Sequence, residues 1–327
     1  MIRSPVLLLF SSLLCLGEIE PIQKIAFGSC HKESRKAESL KTIAEWEPDV
    51  FVWMGDNIYG DTKDMSVLRA KYEHLAKKPD YRRISESATI LGIWDDHDYG
   101  ANDAGKEFAF KAESQQEFLD FLKVDKESPR RKRQGVYHYE DLGPKGQQVR
   151  LILLDTRYHR DEIGSDGTIL GKEQWAWLEK SLQESEAEVN IIVSSIQVLP
   201  SDHRFEKWSN FPSEKERLFK LLAKEEVPPV LILSGDRHLA EISLEPSRLG
   251  YPLYEITSSA LNNSFGRNRN EKNSLRVGEN YVQNNFGILT FNWKGDFPEI
   301  EAAVFDEKGE IQLKVSVLLK RSHPKTR

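Results

Sequence analysis

Asp49-Val50-Phe51-Val52-Trp53-Met54-Gly55-Asp56-Asn57-Ile58-Tyr59 reads as a buried strand that delivers a carboxylate. The apolar run is too short for a helix and is rich in β-branched and aromatic residues, which favour a pleated, fully covered strand. Gly55 then lets the backbone turn sharply, so that Asp56 faces whatever cleft lies beyond the strand end. Tyr59 reaches the same place if the turn curls back, although a tyrosine taken alone reads more plainly as a packed aromatic.

The same pattern recurs three times. Residues 88–93 run into Trp94-Asp95-Asp96-His97-Asp98, residues 230–233 into Ser234-Gly235-Asp236-Arg237-His238, and residues 24–29 into Cys30. An α/β sheet keeps its site at strand ends, so four such strands lying side by side would bring carboxylate, imidazole, phenol and thiol groups to one edge. Hard oxygen donors mixed with nitrogen and sulfur are the composition of a dinuclear metal site. Asp236 and His238 lie two apart and would point to one side of an extended segment. Arg237 then points away or toward a phosphate, the plainer alternative for the triplet being a surface ion pair. Asp95, Asp96 and Asp98 would repel one another unless cations or hydrogen bonds neutralise them, and calcium or magnesium suits that oxygen density. Asn102-Asp103 follows closely, as further ligands or simply as a turn.

Helical spacing at Ala37, Leu40, Ile43, Ala44 and Trp46, and at Phe108, Phe118, Leu119, Phe121 and Leu122, places amphipathic helices between the strands. Residues 171–184 and 213–222 predict two more, the last with Ser213 as N-cap. Beyond these, runs at 253–259, 286–293, 299–305 and 311–318 read as strands separated by turns at Lys294-Gly295-Asp296 and Lys308-Gly309, an antiparallel meander that completes a second sheet. The expected architecture is therefore α/β, two sheets packed as a sandwich and flanked by helices. No internal repeat or linker divides the chain, and the polar stretch 262–280 reads as a surface loop bordering the site.

The 327-residue chain is 39 % hydrophobic and 30 % charged with a formal net charge of −6, which gives no expectation of a nucleic-acid partner. Its one basic run, Arg130-Arg131-Lys132-Arg133, reads as a solvated loop because no aromatics interleave it. At the N-terminus, Arg3 followed by an apolar stretch over 6–16 and small residues at Cys15 and Gly17 predict an export signal over 1–17, with a mature domain over 18–327. A lipoprotein anchor at Cys15 is disfavoured by Leu14, and an uncleaved anchor by the shortness of the apolar stretch. Removing the leader leaves Cys30 as the single cysteine, a liability in an oxidising compartment unless buried or ligated.

Phe27-Gly28-Ser29-Cys30, the Gly55 to Tyr59 and Trp94 to Asp98 motifs, Leu154-Asp155-Thr156-Arg157-Tyr158 and the Ser234 to His238 motif together resemble the signature set of the PhoD-like alkaline phosphatases, within the calcineurin-like metallophosphoesterases. The resemblance runs from about residue 25 to 260. It implies a four-layer αββα sandwich of two mixed sheets flanked by helices, with ferric iron beside calcium or another divalent ion such as zinc, manganese or magnesium. Carried onto this chain, it implies Cys30, Asp56, Tyr59 and His238 on the iron. Asp56 would bridge to a second ion completed by Asp236 and by either Asp96 or Asn102. His97 matches the imidazole that contacts the phosphate or leaving group. Two departures from ordinary superfamily members stand out: Ser29-Cys30 replaces the Asp-x-His of the first motif, and the segment 193–197 has no histidine, both arguing against a plain two-zinc or two-manganese site.

The function expected is a secreted phosphomonoesterase of alkaline phosphatase type acting on small phosphate esters. His97 is the general acid, and Arg237 or Arg157 offsets charge on the phosphoryl oxygens, the alternative for Arg157 being an internal pair with Asp155. A phosphodiesterase or phospholipase-D-like enzyme would use the same ions, the difference lying in walls formed by 262–280 and the segment around Trp208. A binding protein that has lost turnover is a third reading, opposed by the density of mutually repelling carboxylates.

Overall fold

The computed structural model describes residues 19–295 and 297–321. The expected export signal over 1–17 lies outside the described residues.

In chain order the elements are β1 (Lys24–Gly28), α1 (Glu38–Trp46), β2 (Val50–Met54), α2 (Met65–Ala76), α3 (Pro79–Ser87), β3 (Thr89–Ile93), α4 (Asp96–Tyr99), α5 (Lys111–Phe121), β4 (His138–Leu142), β5 (Val149–Leu153) and α6 (Gly171–Gln183). There follow β6 (Val189–Ser194), α7 (Pro212–Leu222), β7 (Val230–Ser234), β8 (Ala240–Glu245), β9 (Leu253–Ser258), β10 (Asn285–Asn292), β11 (Glu299–Asp306) and β12 (Ile311–Val317). They build two six-stranded mixed sheets, ordered β12-β11-β10-β1-β2-β3 and β4-β5-β6-β7-β9-β8.

Alternation along β2 explains the layering. Val50, Val52 and Met54 join Leu151, Ile191, Val193, Leu231 and Leu233 in a core between the two sheets. Phe51 and Trp53 point the other way, into a cluster with residues of α1, α2, α3 and α5. Ile152, Ile192 and Ile232 do the same on the far side, against Trp175, Leu178 and Leu182 of α6 and Leu218 and Leu222 of α7. Each sheet is thus covered on both faces, which is why its parallel strands read as continuous apolar runs. The α/β sandwich expected from the sequence is the one observed, but the expected four-strand meander is split: β9 joins β7 and β8 in the second sheet, whereas β10, β11 and β12 extend the first sheet from β1.

Register places the motifs. Gly28 pairs with Trp53 and Met54 with Ile93, so β1, β2 and β3 end together. In the second sheet Ser194 pairs with Ser234, and Ser234 with Thr257. The two edges meet at Gly235, whose amide donates to Ser195 O at 3.1 Å; a Cβ there would lie 2.6 Å from Met54 O. No larger residue fits between the sheets at that point.

Three local expectations differ. Helix α7 starts one residue earlier than expected, because Pro212 occupies its first turn; Ser213 lies inside the helix and bonds Asp166 at 2.8 Å instead of capping it. The basic run is not a freely solvated loop. Its Arg131 guanidinium donates to Val124 O at 2.6 Å and Asp125 O at 2.9 Å, and Arg133 sits 4.0 Å from the centre of the Tyr137 ring. Helices α2 and α3, which the sequence reading left unassigned, cover the outer face of the first sheet.

Candidate metal centre

Four strand ends deliver the expected residues into one cluster. Ligating atoms of Cys30, Asp56 and His238 lie within 4.8 Å of one another, as do those of Asp56, Asp96 and His97, and those of Asp56, Asp95, Asp96 and Asp236. Asp56 belongs to all three groups. Its Oδ2 lies 3.4 Å from Cys30 Sγ and 3.2 Å from the Tyr59 hydroxyl, while its Oδ1 is buried without a partner. The tyrosine therefore reaches the cluster, as the turn after Gly55 allows.

The backbone is strained where these groups converge. Eight described non-glycine residues have positive φ, and Cys30, Asp56, Asp236 and His238 are four of them. Such conformations cost free energy and persist where the surroundings over-determine them, which is common at working sites. Gly55, at φ +94, shows why: a Cβ there would lie 2.5 Å from Asp95 Cβ. Any other residue would push the Asp56 and Asp95 loops apart.

Electrostatics give the cluster a strong appetite for cations. Burial, and then the charges of Asp96, Asp95 and Asp236, hold the Asp56 carboxyl well above the usual carboxylate range. Asp236 is raised for the same reasons, burial first and then Asp95 and Asp96. Burial followed by Asp56 and Asp236 raises the Cys30 thiol. Tyr59 is raised by burial and by Cys30 and Asp56. Each group is pressed toward its protonated form unless positive charge enters among them. Metal ions would supply that charge and a partner for Asp56 Oδ1, so the donor set fits a metal centre.

The neighbours orient these donors. His238 Nδ1 donates to Asn263 O, which leaves Nε2 with the lone pair, and its ring stacks on Phe265 at a 3.8 Å centroid distance. Cys30 Sγ lies 3.2 Å from Ser259 Oγ. Asp96 accepts from His97 N at 2.9 Å and Asp103 N at 2.6 Å. Asn102 is exposed, and its side-chain amide donates to Asp103 at 2.9 Å.

His97 stands at the margin, its Nδ1 2.7 Å from Asp61 Oδ1 and its ring 4.2 Å from that of Tyr59. Burial pulls its pKa down, but the hydrogen bond to Asp61 and the charges of Asp96, Asp61 and Asp95 outweigh this and raise it. A raised pKa lets an imidazole carry a proton further up in pH, which suits a general acid.

The repulsion expected among Asp95, Asp96 and Asp98 is resolved by separate partners. Asp98 accepts from Asp95 N at 2.7 Å, from Asn57 Nδ2 at 2.6 Å and from the Tyr72 hydroxyl at 3.1 Å, so it is a strut between motifs. Asp95 Oδ1 receives Arg157 Nε and Ser195 Oγ, both at 2.5 Å. Arg157 also meets Glu206 at 2.6 Å and is fully buried, so its internal pairing is with Asp95 and Glu206; Asp155 instead accepts from the backbone N of Arg157 and Tyr158. Arg237, 2 % exposed, is held by Glu271 and by Gln197 at 3.1 Å, with the Phe205 ring 4.5 Å away. Trp208 is fully buried, packed in the core with Trp175 and residues of α6 and α7. Asp61, Glu206 and Glu271 were missed because loops far apart in sequence bring them in; only the charge density of Asp61 beside the Tyr59 motif hinted at one of them.

Residues 25–308 match the family model described as PhoD-like phosphatase. The chain is 23 % identical over 284 residues to alkaline phosphatase D of Bacillus subtilis (strain 168), a match that covers 68 % of this chain and 47 % of that protein, so the chain spans about half the length of the curated relative it matches. Among solved structures, that of PhoD superposes with a TM-score of 0.70 at 17 % identity, covering 95 % of this chain and 74 % of the other. GAP50, the anchor in the inner membrane complex of Plasmodium, gives 0.63 at 16 % identity, covering 92 % and 90 %. A dimetal phosphatase from Danio rerio gives 0.58 at 12 %, covering 92 % and 100 %. These likenesses establish the fold.

Proposed function

The chain belongs to the PhoD-like phosphatase family, and from that membership and the geometry of its site we propose that it is a metal-dependent phosphomonoesterase of alkaline phosphatase type. The observation that carries the reading is Asp56, shared by three ligand groups with one carboxylate oxygen left unpartnered in a buried site.

Cys30, Asp56, Tyr59 and His238 would hold ferric iron, since thiolate and phenolate are anionic, polarizable donors suited to a highly charged ion. Asp56, Asp236 and Asp96, with Asn102 as the alternative to Asp96, would hold calcium or another divalent ion. Bound there, such a pair makes a water nucleophilic near neutral pH and offsets charge on the phosphoryl oxygens. The protein supplies the rest. His97 donates a proton from Nε2 to the departing alkoxide while Asp61 fixes its ring through Nδ1. Arg237, between Asp236 and His238 in the chain and held by Glu271 and Gln197, would offset charge on the phosphoryl oxygens to the extent that Glu271 leaves it positive. Arg157 holds Asp95 in place from beneath.

The leader over 1–17 makes the protein exported, a reading checked by whether the N-terminus of protein recovered from an exporting host begins at Glu18. Among the described residues no helix is long and apolar enough to cross a membrane.

The activity is tested with an aryl phosphate monoester and the diester of the same leaving group, each before and after chelation and metal return. Higher kcat/KM on the monoester, lost on chelation, supports the reading. A diester advantage at every pH moves the protein to the phosphodiesterase class, and no turnover of either with full metal content makes it a phosphate-binding protein.

A further inference from the structure

Two loops frame the mouth of the metal centre, and they are stitched together. Lys32 N donates to Asn262 Oδ1 at 2.7 Å, and Asn262 Nδ2 returns a bond to Lys32 O at 3.0 Å. Arg35 donates to Asn263 Oδ1 at 2.7 Å. The second loop is tied to the centre itself: Asn263 O takes His238 Nδ1, Phe265 N donates to His238 O at 3.0 Å, and Leu261 N donates to Ser29 O at 2.9 Å. Whatever these loops display is therefore held at a fixed place beside the cluster.

They display positive charge. Lys32 Nζ stands 5.9 Å from the centre of the Tyr59 ring, and the Arg267 guanidinium 4.9 Å from that of Phe265. Among the described residues, no carboxylate lies within ion-pair distance of Lys32, Arg35 or Arg267. The carboxylates nearest the rim are already engaged: Glu33 with Lys71 at 2.6 Å, and Asp61 with His97 at 2.7 Å. Arg35 and Arg267 are exposed, and Lys32 is half-buried.

The rings at the mouth are occupied too. Tyr59 lies against His97 and Lys32, and Phe265 against His238 and Arg267, so neither presents itself first as a stacking platform for a flat substrate. The unsatisfied feature of this rim is its charge.

We propose that Lys32, Arg35 and Arg267 form a specificity rim that selects phosphate esters whose leaving group carries a second anion, a carboxylate or another phosphate. The proposal rests on the monoesterase reading, and it names the part of the substrate that this reading leaves open. Once the buried ions and the ester phosphate have balanced one another, the three free cations outside them attract a second negative group and orient the leaving oxygen toward His97.

The test compares butyl phosphate, 3-carboxypropyl phosphate and butane-1,4-diol bisphosphate as substrates of the metal-loaded protein. In parallel, pentylphosphonate and 5-phosphonopentanoate, which cannot be hydrolysed, are titrated by calorimetry. Wild-type protein is expected to favour the anionic tails by about tenfold in kcat/KM, and the charged phosphonate by a similar factor in Kd, the sum of several modest exposed pairs. In Lys32→Gln combined with Arg267→Gln, both ratios fall to within about twofold of unity, and Arg35→Gln alone lowers them part of the way. A preference for either anionic tail supports the rim, and the larger of the two names the second anion. Equal handling of neutral and anionic tails by the wild type, or a preference that survives in the double variant, overturns it. If calorimetry shows the preference while no ester is turned over, the rim stands and the monoesterase reading falls; if esters are turned over without preference, the rim alone falls.

Discussion

Arg157 and Asp95 form an ion pair with no exposed atom on either side chain, Nε lying 2.5 Å from Oδ1 of a carboxylate that itself belongs to the ligand cluster. The guanidinium also meets Glu206, which shares its other face with Arg160 at 3.0 Å. A buried pair of this kind is poor evidence of net stabilisation, but removing one partner strands the other's charge in a dry interior. Arg157→Met should therefore cost about 3–5 kcal/mol in denaturant unfolding. Arg157→Lys keeps the charge but cannot reach both acids with one planar fork, so it should fall between the variant and the wild type. A loss under about 1 kcal/mol for Arg157→Met would mean that the two carboxylates are neutral or solvated, contrary to this geometry.

Lys215 gives a pH-dependent prediction away from the cluster. Its ammonium donates to Leu199 O at 2.7 Å and Ser209 Oγ at 2.8 Å. Burial, only partly offset by Glu255, lowers its pKa to about 8. The unfolded chain keeps its proton up to the ordinary lysine range, so between about pH 8 and 10.5 the unfolded state binds more protons and stability rises with pH. Below pH 8 that gain is absent. Lys215→Met should remove a rise of roughly 2–3 kcal/mol across this window relative to the wild type. Parallel stability curves for the two proteins from pH 8 to 10 would contradict the assignment.

Much of this was legible in the sequence. An apolar run such as Val50–Met54, bounded by Gly55, fixes both a strand and the place where its carboxylate emerges. Of the four runs expected side by side, β1, β2 and β3 do share one edge, whereas β7 brings Asp236 and His238 from the other sheet, an inter-sheet packing that strand patterns do not encode. Helices α2 and α3 escaped because their buried positions are sparse, Leu68, Tyr72 and Leu75 in one and Tyr81 and Ile84 in the other, and charged residues fill the rest. Pairings between distant loops were equally hidden. Arg237 and Glu271 are brought together by the path of the 262–280 loop, and Arg157 and Glu206 by a turn after β6, neither of which local periodicity encodes. Asp98 looked like a ligand candidate by composition alone, yet the four hydrogen bonds it accepts, two of them from Asn57, make it a strut.

Asp56 and Asp61 should separate metal holding from proton delivery. Asp56→Asn removes the carboxylate common to all three ligand groups, so metal content and turnover should fall together. Asp61→Asn leaves the ligands intact and loosens only the His97 ring, so metals should stay bound while kcat drops about ten- to a hundredfold and its dependence on pH shifts. His97→Ala should match Asp61→Asn in metal content and exceed it in lost turnover. Elemental analysis beside steady-state kinetics decides the matter, and near-normal metal and turnover in Asp56→Asn would remove the bridging role.

As thiolate and phenolate donors, Cys30 and Tyr59 would make the proposed centre a mixed one built around ferric iron. Its most direct test is elemental analysis of the purified protein together with its visible spectrum, in the wild type and in Tyr59→Phe. Iron with a second, divalent metal is expected, in a coloured protein whose charge-transfer band bleaches or shifts in Tyr59→Phe. A colourless, fully active protein containing only zinc would contradict it.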